Sequence, residues 1–233
     1  TPAATRTPTL TATLAANALP PEGPWLVFDS QDGLWTVNPQ GRGLKRLWAE
    51  RPLLPEGLQA NAAPRGGMLA FWAYRELRSG EEVPALHLIR LPEGRVERWL
   101  LAVRPSAGAS EDSLRALVSR NGLAWSPDGR KLVFAAILDG PSVDLYLLDR
   151  QDHSLRRLTE LAGDEFAPAW SPDGSTLVYF SSDVDAQGVE WTEVWTVEPI
   201  SGRNMRLLER ASSRPALAGW SGLHQFLLYR RSE

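Results

Sequence analysis

The chain has 233 residues, of which 43% are hydrophobic and 23% charged, which is enough apolar material for a globular core. No run of about 18 apolar residues could span a bilayer, and the net charge of −3 is not organised into the basic stripe that phosphate backbones attract. We therefore expect neither direct membrane insertion nor a nucleic-acid partner. Cysteine is absent, which excludes disulfides and thiolate metal sites.

Residues 1–14 read TPAATRTPTLTATL, with one charge and almost nothing large to bury. This composition predicts an extended, flexible stalk. We expect the stalk to tether the domain to an upstream lipid anchor or membrane helix, which places the protein in the periplasm or at the cell surface. The alternative is a linker between two soluble domains.

One cassette recurs five times after the stalk, with a turn followed by a β-prone apolar run. The copies are PPEGPWLVFDS from Pro20, APRGGMLAFWA from Ala63, LAWSPDGRKLVFAA from Leu123, PAWSPDGSTLVYFS from Pro168 and AGWSGLHQFLLYR from Ala218. In the two strongest copies, Trp125 and Trp170 stand 45 residues apart. A four-stranded propeller blade takes roughly 40 to 45 residues, so the interval favours one blade per repeat.

The turn in each strong copy has a physical explanation. In SPDG, Pro127 presets its backbone angle, Asp128 suits the next position, and Gly129 tolerates the positive φ that follows a type I turn. We therefore interpret Asp128 and Asp173 as turn formers rather than as paired catalytic carboxylates. The turn with its flanking apolar segments predicts the first two strands of a blade.

A second element follows each hairpin and predicts the third and fourth strands, the last of them carrying Lys or Arg. Its copies are GLWTVNPQGRGLKRL from Gly33, ALHLIRLPEGRVERWL from Ala85, DLYLLDRQDHSLRRL from Asp144 and EVWTVEPISGRNMRLL from Glu193. The predicted fold is all-β, a β-propeller of four-stranded antiparallel blades with four full repeats and a partial fifth. The repeats cover about residues 15–50, 58–102, 121–161 and 165–210, and the partial one covers 215–233.

Ring closure is left open by this count. A segment within residues 9–14 could add an outer strand to the last blade, which gives an incomplete or five-bladed ring. The alternative is that the chain belongs to a longer protein with more blades.

The recurrent large and basic side chains fit structural roles in such a fold. Trp125, Trp170 and Trp220 occupy equivalent strand ends and are expected to pack between blades. Basic residues on the outermost strands are expected to guard free edges. These are Lys45, Arg46, Arg98, Arg156, Arg157 and Arg206.

WSPDG followed by LVF and then DLY resembles the PD40, or WD40-like, repeat of the TolB propeller and of prolyl oligopeptidase propellers. The resemblance covers about residues 20–231 and implies blades stacked around a channel, with the first strand of each blade lining it. It also implies a protein-interaction platform, or a cover over a separate catalytic domain.

No catalytic constellation is found in the sequence. Residues 219–222, GWSG, do not fit the GxSxG nucleophile elbow of serine hydrolases. His87, His153 and His224 fall at different blade positions, so packing or surface roles are expected for each. Residues 183–188 lack the spaced oxygen ligands of a calcium loop. We predict no catalytic residues, cofactor or bound metal, and hence no enzyme activity.

Three long connections carry the prediction of function: residues 74–84, 102–121 and 181–192. Residues 110–120 are predicted to form a short helix capped by Ser110. The connections are of two types, second to third strand and blade to blade, which emerge on one face of a propeller. The candidate partner-binding residues there are Arg75, Arg78, Glu81, Glu82, Asp183, Asp185, Glu190 and Trp191.

This face is mainly acidic with one aromatic anchor, which suits docking of a protein or peptide by a monomeric, non-catalytic binding module. The alternative is that these loops are solvated and bind nothing. Two other hypotheses remain open from the sequence. One is the substrate-gating propeller of a prolyl-oligopeptidase-like hydrolase, and the other is an envelope sensor or lipoprotein ectodomain.

Overall fold

The computed structural model describes residues 25–30, 33–49, 60–64, 67–101, 122–211, 215–220 and 225–230. Within these ranges the chain forms seventeen strands and no helix, so no described helix could cross a membrane. The predicted stalk, the predicted helix at 110–120 and the strand expected within 9–14 lie outside the described residues.

The strands form five separate sheets, which we call blades I to V. Blade I consists of β1 (Leu26–Ser30), β2 (Gly33–Val37) and β3 (Lys45–Trp48). Blade II consists of β4 (Asn61–Ala62), β5 (Met68–Glu76), β6 (Glu82–Arg90) and β7 (Arg95–Leu101). Blade III consists of β8 (Leu123–Trp125), β9 (Lys131–Ala136), β10 (Asp144–Asp149) and β11 (Leu155–Arg157).

Blade IV consists of β12 (Asp164–Trp170), β13 (Leu177–Val184), β14 (Glu190–Val197) and β15 (Asn204–Ala211). Blade V consists of β16 (Pro215–Trp220) and β17 (Phe226–Arg230). In every blade the strands follow one another in chain order and pair antiparallel. This is the blade pattern that the repeats predict, and three of the five sheets have all four strands within the described residues.

The SPDG turns have the predicted geometry. Gly129 donates its N–H to the Ser126 carbonyl at 2.8 Å and has φ of 70°, a conformation that glycine adopts at little cost. Asp128 Oδ1 accepts hydrogen bonds from the Ser126 hydroxyl at 2.6 Å and the Arg130 N–H at 3.0 Å. Asp173 repeats this arrangement in blade IV, so both aspartates are turn formers, as predicted.

Tryptophans join one blade to the next. Trp125 of blade III donates its indole N–H to the Asn61 carbonyl of blade II at 3.0 Å, and Trp170 of blade IV donates to the Ala124 carbonyl of blade III at 3.1 Å. Their exposed fractions are only 7% and 8%. Trp220 packs against the Val178, Phe180 and Val194 cluster of blade IV. The prediction that these rings pack between blades is confirmed for the first two, with a repeated hydrogen bond that the sequence did not reveal.

Two of the basic residues of the outer strands, Lys45 and Arg98, also bridge blades. Lys45 Nζ donates to the Glu93 carbonyl at 2.6 Å, which ties blade I to blade II. Arg98 donates to the His153 carbonyl at 3.1 Å, which ties blade II to blade III. These side chains therefore do structural work across the junctions in addition to any protection of strand edges.

Candidate functional site

The first long connection is shorter than predicted, because its ends belong to strands. Arg75 lies in β5 and Glu82 in β6, where Arg75 pairs with Val83. Only residues 77–81 form the connecting turn, closed by the Leu77 N–H on the Glu81 carbonyl at 2.8 Å. Prediction of a loop over 74–84 was wrong because the strand pairing continues through polar residues beyond the apolar run.

The third long connection is corrected in the same way. The strands β13 and β14 run to Val184 and from Glu190, so Trp191 is a half-buried strand residue paired with Asp183 rather than a loop anchor. Asp185 Oδ1 accepts the N–H groups of Gln187 at 2.9 Å and Val189 at 2.8 Å. Asp185 is thus a turn former. The middle connection, residues 102–121, lies outside the described residues.

The predicted residues fall into two groups. Arg75, Arg78, Glu81 and Glu82 belong to the hairpin of blade II, whereas the other four belong to the hairpin of blade IV. Blade III lies between them, since its first strand contacts β4 on one side and β12 on the other. The structure therefore provides two separate groups, one on each hairpin, rather than a single cluster.

A groove with a volume of about 480 Å³ lies where blades III and IV meet, and we call it the III–IV groove. Pro141 and Ser142, from the connection between β9 and β10, form one wall. The other wall comes from the connection that precedes β12 and from the end of β13, with Gly163 and Ser182 in contact there. The groove brings together second-to-third-strand and blade-to-blade connections, so these two types share one face in this fold.

Three carboxylates line the III–IV groove: Asp164, Asp183 and Glu190. Among the described residues that line it there is no lysine or arginine. One oxygen of Asp164 accepts the Val143 N–H at 2.9 Å, which ties the two walls together. The electrostatic character of the groove is acidic, and it suits a cationic group of a ligand.

Gly163 is required by the close approach of the two groove-forming segments. A Cβ at this position would lie 2.5 Å from the Ser182 carbonyl oxygen, a distance that no side chain tolerates. Asp183 and Glu190 were predicted as site residues, whereas Gly163, Asp164 and the wall of blade III were not. The available signal was the Gly-Pro pair at 140–141, which marks a second-to-third-strand connection like the others.

The histidines do not form a site in the described structure. His87 is fully buried between Trp48 and Phe71, whose ring centroids lie 4.5 and 5.5 Å from that of His87. Burial, assisted by the positive charge of Arg75, lowers the pKa of His87 to about 4, so the ring is neutral at pH 7. His153 is an exposed turn residue, and His224 lies outside the described residues. No three His, Asp or Glu residues in the described part are grouped to hold a metal ion.

Comparisons with known proteins support the fold. No family model matches the chain. The uncharacterized peptidase YuxL of Bacillus subtilis (strain 168) is 33% identical over 79 residues, which are 33% of this chain and 12% of that peptidase. The crystal structure of TolB from Acinetobacter baumannii matches with a TM-score of 0.53 and 17% identity, over 88% of this chain and 51% of TolB.

A prolyl endopeptidase structure, from a study of inter-domain dynamics in catalysis and specificity, matches with a TM-score of 0.55 and 12% identity. The match covers 81% of this chain and 28% of the endopeptidase. At these identities the structural matches establish the fold alone. Together with the blades described above, they show that the chain has the TolB-like β-propeller fold.

Proposed function

We propose that this propeller is a non-catalytic binding module that docks a protein or peptide on the face carrying the long connections, with the III–IV groove as the anchoring point. The single observation that carries the proposal is the acidic groove, which is lined by the three carboxylates Asp164, Asp183 and Glu190. A lysine, arginine or terminal amine of a partner complements such a groove. The hairpin of blade II, with Arg78 and Glu81 exposed, offers a second contact region on the same face.

The environment proposed for this module is outside the cytoplasm, as the composition of residues 1–14 suggests. We also propose that it acts as a monomer. The TolB-like fold supports a binding role in the general sense that propellers of this type present connecting loops on a rigid scaffold.

A direct test measures binding of three peptides of equal length, rich in lysine and arginine, in glutamine or in glutamate. Isothermal titration gives the affinity, and backbone amide shifts of Ser142, Gly163 and Ser182 locate the bound peptide by NMR. Only the basic peptide is expected to bind and to shift these three signals. Equal binding of the neutral peptide, or shifts confined to other residues, would contradict the proposal.

Variants of the carboxylates that line the III–IV groove provide a second test. The double variant Asp183→Asn/Glu190→Gln removes two groove carboxylates and is expected to weaken the basic peptide by about tenfold, which corresponds to about 1.4 kcal/mol. The control is Glu198→Gln, which removes a carboxylate from the turn between β14 and β15 at the opposite end of the same blade. Equal losses in the control and the double variant would mean that the effect is one of net charge alone.

The second candidate function is a propeller that covers the active site of a hydrolase. The observation that favours it is the 33% identity to a peptidase over 79 residues. The hydrolase function requires a catalytic domain in the natural protein, whereas the binding module does not. A covalent serine-hydrolase probe that labels the full-length natural protein would support the hydrolase, whereas absence of labelling together with binding of the basic peptide supports the binding module.

A further inference from the structure

Four polar side chains meet at the junction of blades III and IV, and three of them are buried. Asp144 is on β10, Arg157 on β11, Thr159 on the connection between the blades, and Glu165 on β12. Asp144 and Glu165 are 0% exposed and Thr159 is 1% exposed. Two carboxyl groups at such depth require hydrogen-bond donors, because an unpaired buried charge is strongly unfavourable.

The donors in this cluster can be assigned one by one. Thr159 Oγ1 accepts the Leu145 N–H at 2.9 Å, so its own single proton is donated to Glu165 Oε2, also at 2.9 Å. Arg157 donates to Asp144 Oδ1 at 2.8 Å. Two buried oxygens then have no donor among the described residues, Asp144 Oδ2 and Glu165 Oε1. Both oxygens belong to this one buried cluster, and a carboxyl group becomes a hydrogen-bond donor when it is protonated, so one proton shared between the two groups would supply the missing donor.

We propose that a single proton, held on Glu165 Oε1 and donated to Asp144 Oδ2, locks blade IV to blade III. The resulting chain of donors runs without interruption from the Leu145 N–H through Thr159 and Glu165 to Asp144, which Arg157 completes from the other side. The lock depends on pH because its central hydrogen bond disappears when that proton is lost to solvent.

The proton resides on Glu165 because the two carboxyl groups have different surroundings. Burial raises the pKa of Asp144 as well, but the guanidinium of Arg157 opposes this by favouring the ionised form of Asp144. No salt bridge to Glu165 is found among the described residues. Burial, followed by the negative charges of Asp144 and Asp164, raises the pKa of Glu165 to about 9.

Other ionisable groups around the lock reinforce this direction or are too weakly acidic to change it. The Glu160 carboxylate, on the connection, disfavours ionisation of Asp144 and pairs with Arg157 at 3.3 Å. Tyr146 on β10 and Tyr179 on β13 have pKa values raised by burial and by the nearby carboxylates, so both phenols stay protonated. The negative charge of Glu193 on β14 contributes to the raised pKa of Tyr179, and Glu193 forms a salt bridge with Arg206.

The lock lies at the same junction as the III–IV groove. The Glu165 N–H donates to the Val143 carbonyl at 2.8 Å, and the Val143 N–H donates to Asp164 at 2.9 Å. Loss of the proton places two carboxylates against each other beside these hydrogen bonds. The blade junction, and with it the spacing of the groove walls, is therefore weakened at alkaline pH.

The sign of the pH dependence follows from the raised pKa. Folded Glu165 keeps its proton to a higher pH than unfolded Glu165, so the stabilisation is complete below about pH 4.5 and is progressively lost as the pH rises toward about 9. The variant Glu165→Gln keeps an N–H donor toward Asp144 and cannot ionise. Its stability relative to the wild type should therefore increase with pH.

The experiment records the thermal midpoint Tm of the wild type, Glu165→Gln and Glu160→Gln between pH 5 and pH 9. The Tm difference between Glu165→Gln and the wild type is expected to grow by about 5 to 10 °C over this interval. Glu160→Gln, which removes a largely exposed neighbouring carboxylate, should keep a constant difference. A pH-independent difference for Glu165→Gln would overturn the proposal.

A second measurement covers the case in which Glu165→Gln does not fold. Infrared difference spectroscopy of the wild type detects the C=O stretch of a protonated carboxylic acid, which ordinary exposed carboxylates do not show at pH 7.5. The proposal predicts this band at pH 7.5 and its loss above about pH 9. Its absence at pH 7.5 would overturn the proposal.

Discussion

Replacement of Trp170 by phenylalanine tests the inter-blade indole hydrogen bond that occurs at two successive junctions. The substitution retains an aromatic ring in a site that is 8% exposed, but it removes the indole N–H that bonds the Ala124 carbonyl at 3.1 Å. The net loss of one hydrogen bond costs about 1 kcal/mol. The smaller ring gives up roughly 40 Å² of buried apolar surface, which adds about 1 kcal/mol.

The expected destabilisation is therefore about 2 kcal/mol, and Trp125→Phe should lose a similar amount because its indole bonds Asn61 in the same way. Urea unfolding followed by circular dichroism measures this quantity. With a slope of about 2 to 3 kcal/mol/M for a chain of this size, the midpoint falls by roughly 0.7 to 1 M. Ile200→Ala, at a position that is 90% exposed, is the control and should change the midpoint little.

The prediction fails if both tryptophan variants have urea midpoints within roughly 0.2 M of the wild type, which is about the precision of such curves. Such a result would mean that the indole hydrogen bonds contribute nothing net to the blade junctions. A loss for Trp170→Phe alone would restrict the contribution to the junction between blades III and IV.

Two further predictions concern other buried positions. Gly33→Ala should lower the free energy of unfolding by at least about 3 kcal/mol, because a Cβ there would lie 2.0 Å from the Trp48 carbonyl oxygen. Gly41→Ala has open space around it and should cost only about 1 kcal/mol for its positive φ. Urea unfolding midpoints of the two variants measure the difference. Folded His87 stays neutral between about pH 6.5 and pH 4, whereas unfolded His87 gains a proton, so the wild type loses stability over this interval. His87→Phe should lose less. Equal acid-induced shifts in Tm for the variant and the wild type would contradict this.

The fold could be predicted because its signals are local. The turn SPDG fixes a hairpin through three adjacent residues, and its return after 45 residues indicates a repeated unit. The strand ends could not be read in the same way. Tyr74 and Arg75 are polar or amphipathic, yet they pair because their hairpin partners continue opposite them.

The candidate site was only partly predictable for a different reason. Asp183 and Glu190 lie at the facing ends of two strands of one hairpin, which a polar interruption marks in the sequence. Asp164 joins them only when two blades pack side by side. Glu165 and Asp144 read as ordinary polar strand ends. Their burial results from contact between residues of different blades, which a single sequence pattern does not encode.

The fold rests on consecutive sheets that pack side by side in chain order, with blades III and IV each joined to the preceding blade by an indole hydrogen bond. Nuclear Overhauser effects from the indole N–H protons of Trp125 and Trp170 measure this contact directly. The structure predicts cross-peaks from Trp125 to Asn61 and from Trp170 to Ala124. Cross-peaks from both indoles to residues of their own sheet alone would contradict the account.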